Sequence, residues 1–195
     1  MKTLYQIKLG IKRSLWFLNR LQYKAFGKNS VINKPLMLSG KKYMEIGNKV
    51  TIRDGARIEM ISEWNHKEYH PSLQIGDGTS IEQNLHLICS DIVRIGKNCA
   101  LAGRCSIITV DHEYSDVERG GVLKQGIASQ EVMIGDNCFF GMDVKVFPGV
   151  HIGNNVIVGA NSIVMNDIPA YSVCVGVPAR VIKTYNFETK TWVKV

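Results

Sequence analysis

The sequence has no apolar run long enough to cross a bilayer as a helix, which takes about 20 residues. Its opening does not read as a secretory leader either: Lys2, Lys8, Lys12 and Arg13 interrupt the apolar positions, and no small-residue cleavage site follows. Both absences lead us to expect a cytoplasmic protein. The five cysteines, Cys89, Cys99, Cys105, Cys138 and Cys174, are odd in number and contain no C-x-x-C pair, which argues against a disulfide framework or a zinc ribbon. Basic residues do not alternate with aromatics in a stacking pattern, so no nucleic-acid partner is expected. The formal charge of +7 still favours anionic partners of other kinds.

What the chain has is a period of six. Reading from Phe26, the column runs Phe26, Ile32, Leu38; Ile46, Ile52, Ile58; Ile75, Ile81, Leu87; Ile95, Leu101, Ile107; Ile134, Phe140, Val146; Ile152, Val158, Val164. Six is neither a helix period nor a plain strand alternation. A short strand followed by a corner produces it, and three such sides make one coil of a parallel β-helix. After the first position of each triplet comes a glycine, Gly27, Gly47, Gly76, Gly96, Gly135 and Gly153. Two places further on stand Asn29, Lys49, Gly78, Asn98, Asn137 and Asn155, mostly residues that tolerate a left-handed corner. Six coils at the strand spacing give a stack roughly 29 Å tall.

A second inward column lies four residues after each first: Ser30, Leu36, Val50, Ala56, Thr79, Leu85, Cys99, Cys105, Cys138, Val144, Val150, Val156, Ser162 and Ile168. Three cysteines are thereby expected as small buried hydrophobes. Lys42, Ser62, Asp91 and Asp111 break this column, each on a third side. The register slips at the same four places, so all the irregularities belong to one corner of the prism. Two slips are long insertions, at about 62–72 and 112–133, on coils two turns apart. Loops on a rigid scaffold concentrate function, which makes this corner the candidate site.

Three parts follow: residues 1–25, a repeat domain over 26–179, and a tail over 180–195 expected as a short strand or hairpin. In the first part Leu4, Ile7, Ile11, Leu15, Leu18 and Leu21 recur at helical spacing on a segment otherwise basic. Such a helix suits the capping of an open coil end, the favoured reading, or a membrane surface.

The hexapeptide column, the stretch FPGVHIGNNVIVGANSIVMNDIPAYSV and the ending VGVPARVIK resemble the hexapeptide-repeat acyltransferases, in particular the galactoside and maltose acetyltransferases and the polysaccharide O-acetyltransferases. The resemblance implies an all-β, left-handed parallel β-helix of about six coils; the general crossover rule would give the opposite hand. It also implies a homotrimer with active sites between neighbouring prisms, acetyl-CoA as acyl donor, a sugar or glycan acceptor and no metal. His112, in TVDHEYSD, matches the family's catalytic histidine, and Asp111, Glu113 or Asp116 would orient it. Asn84 corresponds to an acceptor-binding asparagine, with His86 beside it; Trp64 and Tyr69, near His66 and His70 in the shorter insertion, suit stacking on a sugar ring or packing of the loop. The donor positions are Phe139, Gly141, Met142, Gly159, Ala160, Met165, Asn166, Arg180 and Lys183. Met165 and Asn166 depart from the family's usual Thr-Lys. His151 occupies an equivalent outward place one coil after His112.

The leading expectation is O-acetylation of a sugar in surface polysaccharide assembly. N-acetylation of a nucleotide-linked amino sugar is the nearest alternative. A serine acetyltransferase is less favoured for want of its long helical N-terminal domain, and a zinc hydratase on the same prism for want of suitably spaced histidines.

Overall fold

The computed structural model describes residues 19–195, so most of the expected N-terminal helix lies outside the described residues. The described end of that segment sits on the first coil. Tyr23 is buried with its ring edge-on to Phe26, 4.9 Å between centroids, and the Arg20 guanidinium donates to the carbonyls of Phe26 and Gly27.

From Ala25 the chain winds as a three-sided prism whose sides are parallel sheets. The first side stacks Ala25–Phe26, Met44–Ile46, Ser72–Ile75, Ile92–Ile95, Val132–Ile134 and His151–Ile152. The expected register holds in every pairing: Phe26, Ile46, Ile75, Ile95, Ile134 and Ile152 are successive partners. Ile32 to Val158 on the second side and Leu38 to Val164 on the third do the same. Inward side chains stack in columns because each strand lies in register on the one below, and above the first coil the hexapeptide column is fully buried.

Two features of the sequence set the close spacing of the coils. Asn29, Lys49, Gly78, Asn98, Asn137 and Asn155 all have φ between 54° and 74°, the left-handed corner expected of them. The glycine column serves a different need. A Cβ on Gly96 would lie 2.4 Å from Asp136 Oδ1 and 2.5 Å from the Gly135 carbonyl carbon, so backbone from the next coil occupies that space. The residue after each glycine then ties coils together: Asp77 Oδ1 accepts from the Asn48 N–H at 2.7 Å, Asp136 Oδ1 from Lys97 N–H at 2.7 Å, and Asn154 Oδ1 from Asp136 N–H at 2.8 Å. The donated N–H of Asn48 holds the Asp77 carboxyl below the ordinary range.

The structure corrects the second column at Leu36 and fills in the four places where it broke. Leu36 is 76% exposed instead of inward, because its coil is the first and nothing in the described chain lies beneath it. Where the third side turns into the first, the inward place is filled by Met44, Leu73, Val93 and Val132, each on a first-side strand two residues before its hexapeptide-column residue. Register there is set by where the chain re-enters the prism, not by where it leaves. The stack also continues past Val164: Ile168 bridges Ile152 and Cys174 pairs with Val158, starting a seventh turn. The tail is a hairpin, Ala179–Asn186 with Thr191–Lys194, added antiparallel to the second side through Ser172–Gly176. All five cysteines are free and buried, and burial pushes the Cys89 thiol up to about 12.

Gly96→Ala is expected to lower unfolding stability by about 1–3 kcal/mol, the usual cost of overpacking. Guanidinium titration measures it, and an unchanged midpoint would contradict the close coil approach.

Candidate active site

Both long insertions leave the corner between the third and first sides. The shorter folds as a hairpin, Glu63–Trp64 with Lys67–Glu68, turned by Asn65 and His66 at φ 47° and 63°. Paired positive φ values give the tight turn that matches strand twist. The longer is a ribbon in which Val110–His112 pairs antiparallel with Ile127–Ser129, closed at its tip by short 3-10 turns at Val117–Arg119 and Val122–Lys124. Hydroxyls root it in the prism. Buried Thr109 Oγ1 accepts from the Ser90 N–H at 2.8 Å, and Ser90 Oγ meets Ser129 Oγ at 2.6 Å.

The two insertions grip each other. Trp64 Nε1 donates to the Gln125 carbonyl at 3.1 Å, Asn65 Nδ2 to the carbonyls of Leu123 and Gln125, and the Tyr69 hydroxyl to Ile127 O at 3.0 Å. Gln125 is buried, and its amide closes the ribbon on itself by accepting from Asp116 N–H and donating to Asp116 O. These contacts place His112, paired across the ribbon with Ile127, against the Trp64 ring at 5.4 Å between centroids and 65° between planes. Nδ1 of His112 is buried without a hydrogen-bond partner among the described residues. None of the three carboxylates expected to orient it does so here. Asp116 Oδ1 caps the 3-10 turn through Glu118 N–H, Asp111 is exposed, and the Glu113 carboxylate lies over Gly126, 2.6 Å from where a Cβ would stand.

The expected acceptor residues divide. Trp64 and Tyr69 join His112 at the loop corner, Tyr69 as a buried anchor whose hydroxyl is already engaged. Asn84 stands at the opposite edge of the third side, in a left-handed column with Gly55, Arg104, Asp143 and Asn161 that the hexapeptide count did not separate. His86 lies on the outward face between them, its Nε2 3.3 Å from Arg57 Nη1; burial and that guanidinium lower its pKa, keeping it neutral at pH 7. Among the expected donor residues, Gly141, Met142, Gly159 and Ala160 lie on that same far edge in adjacent coils, where Asn161 N–H donates to Met142 O at 2.8 Å. Phe139 is half exposed on the second side. Met165 and Asn166 follow the last strand of the third side, Ile163–Val164, and are exposed. Arg180 and Lys183 lie on the inner strand of the tail hairpin. His151 is exposed, 3.2 Å from Glu131 Oε1. Within one chain, therefore, the third side separates the His112 corner from most of the donor residues.

A profile described as "Hexapeptide repeat of succinyl-transferase" matches residues 131–165, the coils in which the period runs without interruption. Over these residues the chain carries the hexapeptide repeat that the profile describes. Among hexapeptide-repeat relatives, a putative lipopolysaccharide biosynthesis O-acetyl transferase of Escherichia coli, WbbJ, is 34% identical over 126 residues, 60% of this chain and 63% of the relative. A galactoside acetyltransferase solved in complex with coenzyme A superposes with TM-score 0.56 at 33% identity, over 63% of this chain and 62% of that one. AntD, an N-acyltransferase of Bacillus cereus solved with dTDP and 3-hydroxybutyryl-CoA, shares the fold across 90% of both chains with TM-score 0.72 at 20% identity. The architecture is the left-handed parallel β-helix that the resemblance implies. The chain covers less than two thirds of the length of the curated relatives it matches.

Spacing gave no sign of Gln125, Asn65, Ser90 or Thr109, polar residues that hold the site without touching His112's ring. Gln125→Ala is expected to loosen the ribbon: amide exchange at Asp116 and Glu113 should quicken by roughly tenfold or more for the lost buried bonds. Unchanged protection would show that the ribbon is held elsewhere.

Proposed function

We propose that this chain is an acetyl-CoA-dependent O-acetyltransferase acting on a sugar hydroxyl in surface polysaccharide assembly, with His112 as general base. The observation that carries this reading is the position of His112: an imidazole fixed by two interlocked insertions at one edge of a hexapeptide-repeat prism, with an aromatic face beside it. In the reaction the imidazole takes the proton of the acceptor hydroxyl as that oxygen attacks the thioester carbonyl. It then returns the proton to the departing sulfur, leaving an acetyl ester and a free thiol. Backbone N–H groups steady the oxyanion between these steps. With Nδ1 enclosed, Nε2 is the nitrogen that meets the acceptor, and one of the neighbouring carboxylates, Asp111 or Glu113, turns to receive Nδ1–H in the working site.

Separation of His112 from the donor edge within one chain supports a homotrimer, in which the donor edge of one prism faces the loop corner of the next. Arg180 and Lys183 are the cations proposed for the donor's phosphates. No helix among the described residues is long and apolar enough to cross a membrane. We place the reaction in the cytoplasm, with the basic N-terminal segment favouring work beside a membrane-bound glycan.

His112→Ala should cut thiol release from acetyl-CoA with a sugar acceptor by about 10²–10⁴-fold while CoA binding persists. A rate equal to the parent's would remove His112 from the reaction. Offering hydroxyl and amino acceptors in parallel separates O- from N-transfer.

A further inference from the structure

The grip between hairpin and ribbon leaves a cavity of about 540 Å³, lined by Trp64, Lys67, Glu113, Arg119, Lys124 and Gln125 among others. This is the size range of small-ligand sites. Its charge is lopsided. Lys67, Arg119 and Lys124 face it with Glu113 as the sole carboxylate of the lining, and no ion pair among the described residues engages any of the four. The Lys67 ammonium rests over the Tyr69 ring at 5.3 Å, which fixes it at the wall. Gly120 and Gly121, at φ 78° and 107°, reverse the ribbon tip, and Lys124 Nζ is folded back to 3.2 Å from where a Gly120 Cβ would stand, next to Arg119. At Gly121, with ψ 160°, only glycine accepts the backbone without strain. The cavity adjoins the reacting group, since Trp64 lines it and contacts His112, and Glu113 directly follows His112.

Cations gathered without carboxylate partners beside a candidate base are complementary to a doubly charged anion. We propose that this cavity is the acceptor's anion subsite: it takes the phosphate or diphosphate ester of a phosphate-linked sugar and so delivers the sugar hydroxyl to His112. The proposal rests on the acetyl-transfer reading for its purpose, but anion binding itself does not require transfer. Phosphate of this kind comes from a nucleotide-linked or a lipid-linked sugar.

Calorimetric titration of the full chain, saturated with CoA, tests it with three probes: pyrophosphate, UDP and farnesyl diphosphate. Pyrophosphate is expected to bind without displacing CoA. The combined variant Lys67→Gln, Arg119→Gln, Lys124→Gln should weaken it by roughly tenfold or more while CoA affinity and the thermal midpoint stay at parent values. Tighter binding of UDP assigns the nucleotide-linked source, and tighter binding of farnesyl diphosphate the lipid-linked one. No pyrophosphate binding, equal binding to the variant, displacement of pyrophosphate by CoA, or loss of CoA affinity in the variant would each overturn the proposal. Failure of the acetyl-transfer reading shows separately, in the His112→Ala rate.

Discussion

Close approach of successive coils along the glycine column is the constraint on which the rest of the molecule depends. From Gly27, where a Cβ would stand 2.2 Å from the Gly47 carbonyl oxygen, to Gly153, where it would stand 2.4 Å from Ala170 N, each coil presses backbone against the next. That contact keeps the strands in register and lets asparagine and aspartate side chains bridge neighbouring coils. A stack held so tightly has little freedom to bend, and material inserted into it must leave at a corner and return in register. Met44, Leu73, Val93 and Val132 mark those returns.

A rigid corner makes the two insertions useful. Coils two turns apart send out a hairpin and a ribbon that cannot drift relative to each other, so few contacts suffice to lock them. Trp64, Asn65 and Tyr69 supply those contacts by donating to ribbon carbonyls, which leaves the Trp64 ring free to border both His112 and the cavity. Nδ1 of His112, buried and without a hydrogen-bond partner among the described residues, is the cost of this arrangement, about 1–3 kcal/mol for an unsatisfied polar atom.

Much of the fold was legible because burial dictates a repeating pattern: an inward residue every six, a left-handed corner two after each glycine. The loop corner, and the place of His112 at the start of its longer insertion, were legible for a related reason, as the point where that pattern breaks. Leu36 misled because a column says nothing of where the stack begins. The forward count broke off at Lys42, Ser62, Asp91 and Asp111, and it gave no sign that Met44, Leu73, Val93 and Val132 take the inward place, because counting forward through an insertion loses register. The interlock was invisible, since Trp64 and Gln125 lie 61 residues apart and an amide donating to a carbonyl leaves no spacing to read. Asn84 and the expected donor residues Gly141, Met142, Gly159 and Ala160 illustrate a further limit. Their places on the prism were legible, but not that a whole side lies between them and His112 in one chain.

A crystal structure of the full chain with CoA tests the central claim most directly. The account predicts CoA lying along the Gly141–Ala160 edge of one prism with its sulfur about 3–4 Å from His112 Nε2 at the facing corner of another copy, the reach required for proton transfer. CoA bound with its sulfur remote from every His112 imidazole would contradict it.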